Sequence, residues 1–476
     1  MSPIKKQRQR ELPARWLRPF LGGLMFLAGL TLATSLFAAA PESAQSGEGG
    51  FATQSYDDDF SYLCGQKTYK CVEDGHGGYI SFGGRIREQV LEGRPDDFGL
   101  LGSKRINATL LHRLLVHADW HIRPGLRLFV ELGNHLEAGR PGGPRPTDKD
   151  LLDFQQAFID YRFMDNDSGR WTWRFGRQQI TLGSYRLVAP RDNANILITF
   201  DGNVVQWQRD AWTVRALELR PVLNKPGYFD DGNDPTQRLW GVYATRNAIG
   251  PYSSVDLYWL GFDNADGKIY KLQGDDHRES YGTRFFGATP HWDYDIEPII
   301  QRGDFADHPI KAWAFFSTSG YTLRDLPFMP RIGLRSDYAS GSHHPGDGTT
   351  TTFHPLIGPA PLLTDANLNT AANLIDVDPS VDFHLTDKLT VGAHYVELWR
   401  ASREDAFYGR GLIPIIPGNA SRAQHIGSYH RLTTGYEFND YVSLDLDLTH
   451  FEQGAFARAG HALAGNYVTI TTYIQF

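Results

Sequence analysis

The chain closes on YVTITTYIQF, residues 467–476, a run that alternates in polarity to its last residue. Val468, Ile470, Thr472, Ile474 and Phe476 share one face; Tyr467, Thr469, Thr471, Tyr473 and Gln475 share the other. A period of two residues is that of a β-strand. The ends of soluble domains usually fray, and nothing there retains an apolar last residue. Two settings fit the run: the last strand of a soluble sandwich, or the closing strand of a barrel whose outer face meets lipid.

The rest of the chain decides between them. In RINATLLHRLLVHADWH, Ile106, Ala108, Leu110, Leu114, Val116, Ala118 and Trp120 line one face, interrupted by His112. Asn107, Thr109, Arg113, His117 and Asp119 line the other, with Leu111 and Leu115 as exceptions. GLRLFVELGNHLE sets Leu126, Leu128, Val130 and Leu132 against Arg127, Phe129, Glu131, Gly133 and His135. YVSLDLDLTHF sets Val442, Leu444, Leu446 and Leu448 against Ser443, Asp445, Asp447 and Thr449. Charge opposite an apolar stripe suits a wall between lipid and a wet lumen. Sandwich strands commonly run about five or six residues. These run about ten, the length a tilted strand needs to cross the hydrocarbon.

Segments at 78–91, 105–121, 125–139, 153–163, 170–178, 202–208, 211–221, 237–247, 252–261, 281–289, 291–302, 309–319, 328–339, 378–386, 389–398, 425–437, 441–453 and 463–476 predict an all-β transmembrane antiparallel β-barrel of about 18 strands. The short segment 202–208 leaves 16 open. Long connections fall at 92–104, 140–152, 179–201, 222–236, 262–280, 340–377 and 399–424. Short ones fall between them, at 122–124, 164–169, 209–210, 248–251, 290, 387–388 and 438–440. Short periplasmic turns alternating with long extracellular loops produce this parity. The connection 303–308 is short where a long one is expected.

A hydrophobic content of 41% and a mean hydropathy of −0.39 argue against a helical membrane protein. Residues 1–40 read as a secretory signal peptide: a basic stretch from Lys5 to Arg18, an apolar run from Phe20 to Phe37, then Ala38, Ala39 and Ala40. The apolar run is long, so an uncleaved inner-membrane anchor is the competing reading. Removing residues 1–40 takes away six basic residues and one acid, and the net charge moves from −8 to −13. Residues 41–77 read as a periplasmic N-terminal segment and 78–476 as the barrel. Cys64 and Cys71, close together in an exported chain, read as a disulfide. A metal site there would need more ligands than the neighbouring His76.

The inward-facing charges carry both signs. Arg85, Arg87, Arg113, Arg127, Arg162, Arg174, Arg331 and Arg335 stand against Glu131, Asp160, Asp293, Glu297, Asp337 and Asp445. They can pair across strands and stiffen the wall, or form a constriction that meets carboxylates or sugar hydroxyls in passing. Trp171 and Trp173 read as girdle residues. Arg177 shares their face, so it lies at the membrane interface or the strand bends at Gly176. The loop FDDGNDP, 229–235, offers oxygens suited to Ca²⁺ but lacks EF-hand spacing, and a solvated acidic loop is the plainer reading. His343 and His344, in the longest loop, read as exposed.

The chain carries no nucleophile elbow, HExxH, P-loop or dinucleotide fingerprint. No catalysis, cofactor, metal or nucleic-acid partner is expected. The expected partners are outer-membrane lipid and lipopolysaccharide, the barrel assembly machinery, periplasmic export partners and a polysaccharide or oligosaccharide solute.

The stretch AFIDYRF followed by RWTWRFGRQQITLGSYRLVAPRDNANILITFDGNVVQWQ resembles the alginate export family of outer-membrane porins. The matching pieces are Phe158, Asp160 and Tyr161; Phe175, Gly176, Arg177 and Gln178; Arg191, Asp192, Asn193 and Asn195; and Asp201 with Gly202. The resemblance is specific over about residues 153–208. It implies a barrel of approximately 18 strands passing a negatively charged exopolysaccharide outward, and it adds Arg191, Asp192 and Asn193 to the substrate path. The alternatives are a general or substrate-selective porin for uptake of small anions or sugars, and a barrel that acts as an adhesin through its loops.

Overall fold

A sheet with one lipid-facing side must pair every backbone group within itself, and only closure leaves no free edge. The computed structural model describes residues 51–66, 69–100, 106–346, 348–359 and 363–476. The expected signal peptide, 1–40, lies outside the described residues, as do 41–50.

Eighteen strands close into one antiparallel barrel. They are β1 (Tyr79–Arg94), β2 (Asn107–Arg123), β3 (Leu126–Ala138), β4 (Asp150–Asn166), β5 (Gly169–Gln178) and β6 (Phe200–Arg209). Next come β7 (Trp212–Leu223), β8 (Gln237–Gly250), β9 (Ser253–Ile269), β10 (Leu272–Ala288), β11 (Trp292–Phe305) and β12 (His308–Thr322). The last six are β13 (Arg331–Ala339), β14 (Leu374–Thr386), β15 (Leu389–Trp399), β16 (His425–Asn439), β17 (Val442–Gln453) and β18 (Gly465–Gln475). Each pairs with its sequence neighbours, and β1 closes the ring on β18 in a register from Arg85↔Gln475 to Arg94↔Asn466.

The last residue belongs to that seam. Phe476 exchanges two backbone hydrogen bonds with Gly84, at 2.8 and 2.9 Å. Ile470 is exposed on the outer face, while Thr471 is buried and accepts a 2.9 Å hydrogen bond from Gln89 on the inner one. The same parity holds along β2 and β3, where Leu110, Val116 and Trp120 are exposed and Arg113, His117, Asp119, Phe129 and Glu131 are buried.

The expected long loop at 262–280 is not a loop. β9 and β10 continue through it, from Phe262↔Arg278 to Ile269↔Leu272 with a bulge between Asn264 and Gly267, leaving a two-residue turn. β11 and β12 do the same, and Ala306 and Asp307 both take positive φ, the backbone of a type I′ hairpin. These hairpins carry polar residues on their outer faces beyond the apolar band. A stripe that reads as strand only where lipid is present therefore stops before the strand does.

The remaining connections at this end are long, and several fold inward. A cluster of buried apolar residues joins Phe98, Leu187, Val188, Phe353, Tyr408 and Phe456, drawn from five connections, to inward residues such as Leu239 and Phe316. Val188 and Ile357 form an isolated parallel bridge between the 179–199 and 340–373 connections. His343 and His344 are exposed. Among the described residues no helix is long and apolar enough to cross a membrane.

At the other end, Cys71–Glu73 adds a short strand to the start of β1, and Cys71 is disulfide-bonded to Cys64. Residues 51–63 then run along the inner wall.

Candidate lumen site

Inward charges meet two inserted segments. The first is the connection 179–199, between β5 and β6. Arg87 and Arg113 face each other in the β1–β2 register, a like-charge pair that needs acceptors. The loop supplies them. Arg87 donates to the Asp192 carbonyl and, at 3.0 Å, to the Ala194 carbonyl. Arg113 donates to the carbonyls of Asn195 (2.8 Å), Asp192 (3.0 Å) and Ala194 (2.6 Å), and to the Asp192 carboxylate. Asn195 Nδ2 anchors the loop to the carbonyls of His112, Leu136 and Asp148 at 2.9–3.0 Å.

Asp192 lies within the barrel, yet its side chain is 57% open to lumen water. Its surroundings raise its pKa by desolvation, but Arg113 and Arg87 outweigh that and hold it at about 2. The Tyr473 hydroxyl adds a 3.4 Å hydrogen bond to its other oxygen. Arg191, next in the chain, is pushed below the usual arginine range by burial. Its Nε and the Asn193 Oδ1 are buried without partners.

The second inserted segment is 51–63. Arg85 donates to the carbonyls of Thr53 (2.8 Å) and Ala52 (2.6 Å) and to Asp58 (2.7 Å). Gln156 reaches Ser55 at 3.3 Å and the fully buried Glu131 at 3.0 Å. Tyr56 packs edge-on against Phe129 and Phe158, at 6.5 and 6.0 Å between ring centres. Burial raises Asp58 to about 6 although Arg85 pulls the other way.

The other predicted residues close onto the wall. Arg174 forks onto Asp160 at 2.7 and 2.8 Å and lies over the Phe158 ring. Arg127 pairs with Asp119 at 2.6 Å and donates to the Tyr56 carbonyl. Arg335 pairs with Asp337 at 2.7 Å, and Arg331 with Asp293 at 2.6 Å. Arg162 stands apart at the short-turn rim, 39% exposed and 3.3 Å from Asp165.

Arg177 follows neither simple reading alone. The chain does turn at Gly176, where φ is +125° and an added Cβ would lie 2.3 Å from the Ala157 carbonyl oxygen. The guanidinium is then taken up by Asp201 at 3.0 and 3.2 Å and lies 3.5 Å from Asp153. A charge with the wrong parity is thus covered by carboxylates and needs no headgroup.

Sequence reasoning missed several partners. Arg284 bridges Asp295 (2.6 Å) and Asp256 (3.2 Å), and parity within the 281–289 segment could have identified it. Arg186, 3.7 Å from Asp337, and Ser184, 2.5 Å from Glu297, come from the inserted loop. Loop residues have no parity, so nothing in the pattern marks them. Arg140, Arg145 and Arg410 meet with Asp96 and Tyr467 in a cleft among the long connections, and are likewise loop residues.

The arrangement offers a solute guanidinium groups whose present acceptors are mostly backbone carbonyls. Asp58 offsets Arg85, while Arg87 and Arg113 share the one Asp192 carboxylate, so that pair keeps a positive charge in excess on the β1–β2 wall of an acidic protein.

The family model for alginate export matches residues 78–471. No curated protein matches the sequence. Among solved structures, Pseudomonas aeruginosa OccK9 (OpdG) is 14% identical at a TM-score of 0.59, covering 83% of this chain and 98% of its own. Pseudomonas aeruginosa OpdK, solved with vanillate, is 9% identical at 0.57 with coverage of 83% and 98%. Pseudomonas aeruginosa OpdO is 11% identical at 0.56, with 83% and 97%. These likenesses show the barrel fold.

Proposed function

This chain belongs to the alginate export family and is a Gram-negative outer-membrane β-barrel channel; from that premise we propose that it passes an anionic, alginate-like exopolysaccharide outward. The observation that supports this reading is the grip of Arg87 and Arg113 on residues 192–195. Both guanidiniums are nearly buried, and most of their bonds go to carbonyls. A uronate carboxylate is a stronger acceptor than a carbonyl and fits the planar guanidinium fork. A passing acidic sugar would exchange with the loop for these donors, and the loop would yield as the polymer advances. Such multiple weak exchanges let a polyanion enter without being trapped.

A second reading is uptake of small anions or sugars. It is favoured by the inward packing of the 179–199 and 340–373 connections, which narrows the lumen. OpdK, with which this chain shares its fold, is solved with vanillate, a small carboxylate.

Single-channel recording in planar bilayers separates the two. Acidic uronate oligomers are expected to block the current while neutral glucan oligomers of equal length do not. Equal block by both, or by neither, would overturn the polysaccharide reading. Selective block by short monocarboxylates alone would favour the second.

A further inference from the structure

Part of the lumen wall is covered by the chain itself. Arg85 on β1, Phe129 on β3, Gln156 and Phe158 on β4 and Arg174 on β5 form a floor at the short-turn end, and residues 52–58 lie on it. Asp58 takes the Arg85 guanidinium at 2.7 Å. The Tyr56 ring packs against Phe129 and Phe158, with the Arg174 guanidinium 4.6 Å from its centre. Gln156 donates to Ser55 at 3.3 Å. The two places adjoin at His117, whose ring centre is 5.2 Å from that of Phe129 and whose Nε2 is 3.9 Å from Asp58.

The cover is not built into the sheet. Among the described residues, no backbone-to-backbone hydrogen bond joins 51–63 to a barrel strand, so the wall holds this segment through side chains alone. The fit is also incomplete: Asp58 Oδ2 and His117 Nδ1 are buried without hydrogen-bond partners, which weakens the docked state. Phe51 packs on Phe60 at 5.2 Å and closes the ends of 52–58. Farther on, the Cys64–Cys71 disulfide and the pairing of Cys71–Glu73 with β1 anchor the chain at the rim. Residues 52–58 can therefore lift while the segment stays tethered.

The floor beneath complements a sugar acid. A guanidinium forks onto a carboxylate, and a carboxamide meets hydroxyls. The two phenylalanine rings, 5.2 Å apart, offer an apolar seat for the C–H side of a pyranose. In the docked segment Asp58 supplies the carboxylate and Tyr56 the ring.

We propose that Arg85, Phe129, Gln156 and Phe158 form a uronate subsite, and that residues 52–58 are its resident occupant, displaced when an acidic sugar enters. The identity of the solute rests on the polysaccharide reading; the site and its occupant are separate from the grip of Arg87 and Arg113 on the other loop.

Displacement has an inverted signature: loosening the occupant tightens binding of the solute, because more of the population is open to it. Single-channel block by an alginate hexamer measures this, with a neutral glucan hexamer as control. Tyr56→Ala and the nearly isosteric Asp58→Asn should each lower the half-blocking concentration of the alginate hexamer about threefold or more and leave the glucan unaffected. Arg85→Ala, which removes the guanidinium of the floor itself, should show no such gain. In hydrogen exchange, the alginate hexamer should strip protection from amides 52–58 of the parent. Block of the parent with no gain in either strap variant and unchanged protection of 52–58 would overturn this proposal and leave the export reading standing. No block in the parent or in any variant would overturn both.

Discussion

The β1–β2 wall and the β10–β13 wall are built from the same residue type at the same strand parity, yet their arginines do different things. Arg85, Arg87 and Arg113 reach off the wall to inserted segments, to their carbonyls and to the carboxylates of Asp58 and Asp192. Arg284, Arg331 and Arg335 fold back onto Asp295, Asp293 and Asp337 within the wall. A guanidinium on a carboxylate is neutralised in place. A guanidinium on an inserted segment holds a movable piece of chain, and Arg87 and Arg113 have one carboxylate between them. One wall is therefore mainly structural, while the other couples charge to the position of a loop.

The largest effect should come from breaking the second kind. The Arg87→Ala/Arg113→Ala variant removes the main grip on residues 192–195, where each hydrogen bond to a charged group contributes about 1.5–3 kcal/mol. Single-channel conductance should rise roughly twofold or more as the loop leaves the lumen, while anion preference falls. Unchanged conductance would mean that Asn195 and the 340–373 connection hold the loop alone.

Arg284→Ala attacks the other wall. It takes the cation away from Asp256, which is fully buried and keeps a 2.8 Å hydrogen bond from the Tyr243 hydroxyl, and loss of one partner of a buried pair costs on the order of 3–5 kcal/mol. The expected result is a lower thermal midpoint with nearly unaltered ion selectivity. A marked selectivity change would place this wall on the solute path too.

The smallest effect is a pH response of opposite sign in the two inserted segments. Asp192 sits at about 2 against an ordinary 3.8, so its contribution to loop docking is full above about pH 4 and fades as pH falls toward 2. Asp58 sits at about 6 against 3.8, so docking of 51–63 is strongest below about pH 4 and weakens as pH rises through 6. Hydrogen exchange, corrected for intrinsic rates, should show amides 52–58 better protected at pH 4.5 than at pH 7.5. Amides 192–196 should be equally protected at both. Parallel behaviour of the two segments would remove the distinction.

The particulars show what alternation could reveal. Parity put Arg87, Arg113, Glu131 and Asp337 on the face opposite the apolar stripe, and all four are buried, because neighbours on a strand point to opposite faces whatever lies around them. It failed at 262–280, where the strands leave the lipid and the apolar stripe ends while the ladder continues. It gave Arg177 the wrong surroundings, because the groups that cover it come from elsewhere in the fold: carboxylates on β4 and β6 and a carbonyl of the 224–236 connection. The acidic loop was visible as a motif, but Asp153, which accepts the Asp231 N–H at 3.0 Å, was not visible as its companion.

The sequence by itself determined the barrel, a strand number of about 18 with 16 left open, its seam at Phe476 and the inward side wherever a strand alternates cleanly. Those follow from a two-residue period and the thickness of a membrane, and both act locally along the chain. Only the tertiary structure decided what the inward arginines hold. Arg87 lies 105 residues from Asp192, and Arg85 lies 32 from Thr53. Such contacts arise when closure brings distant strands and inserted segments into one lumen, where buried guanidiniums must find acceptors, and no local period encodes which acceptors those are.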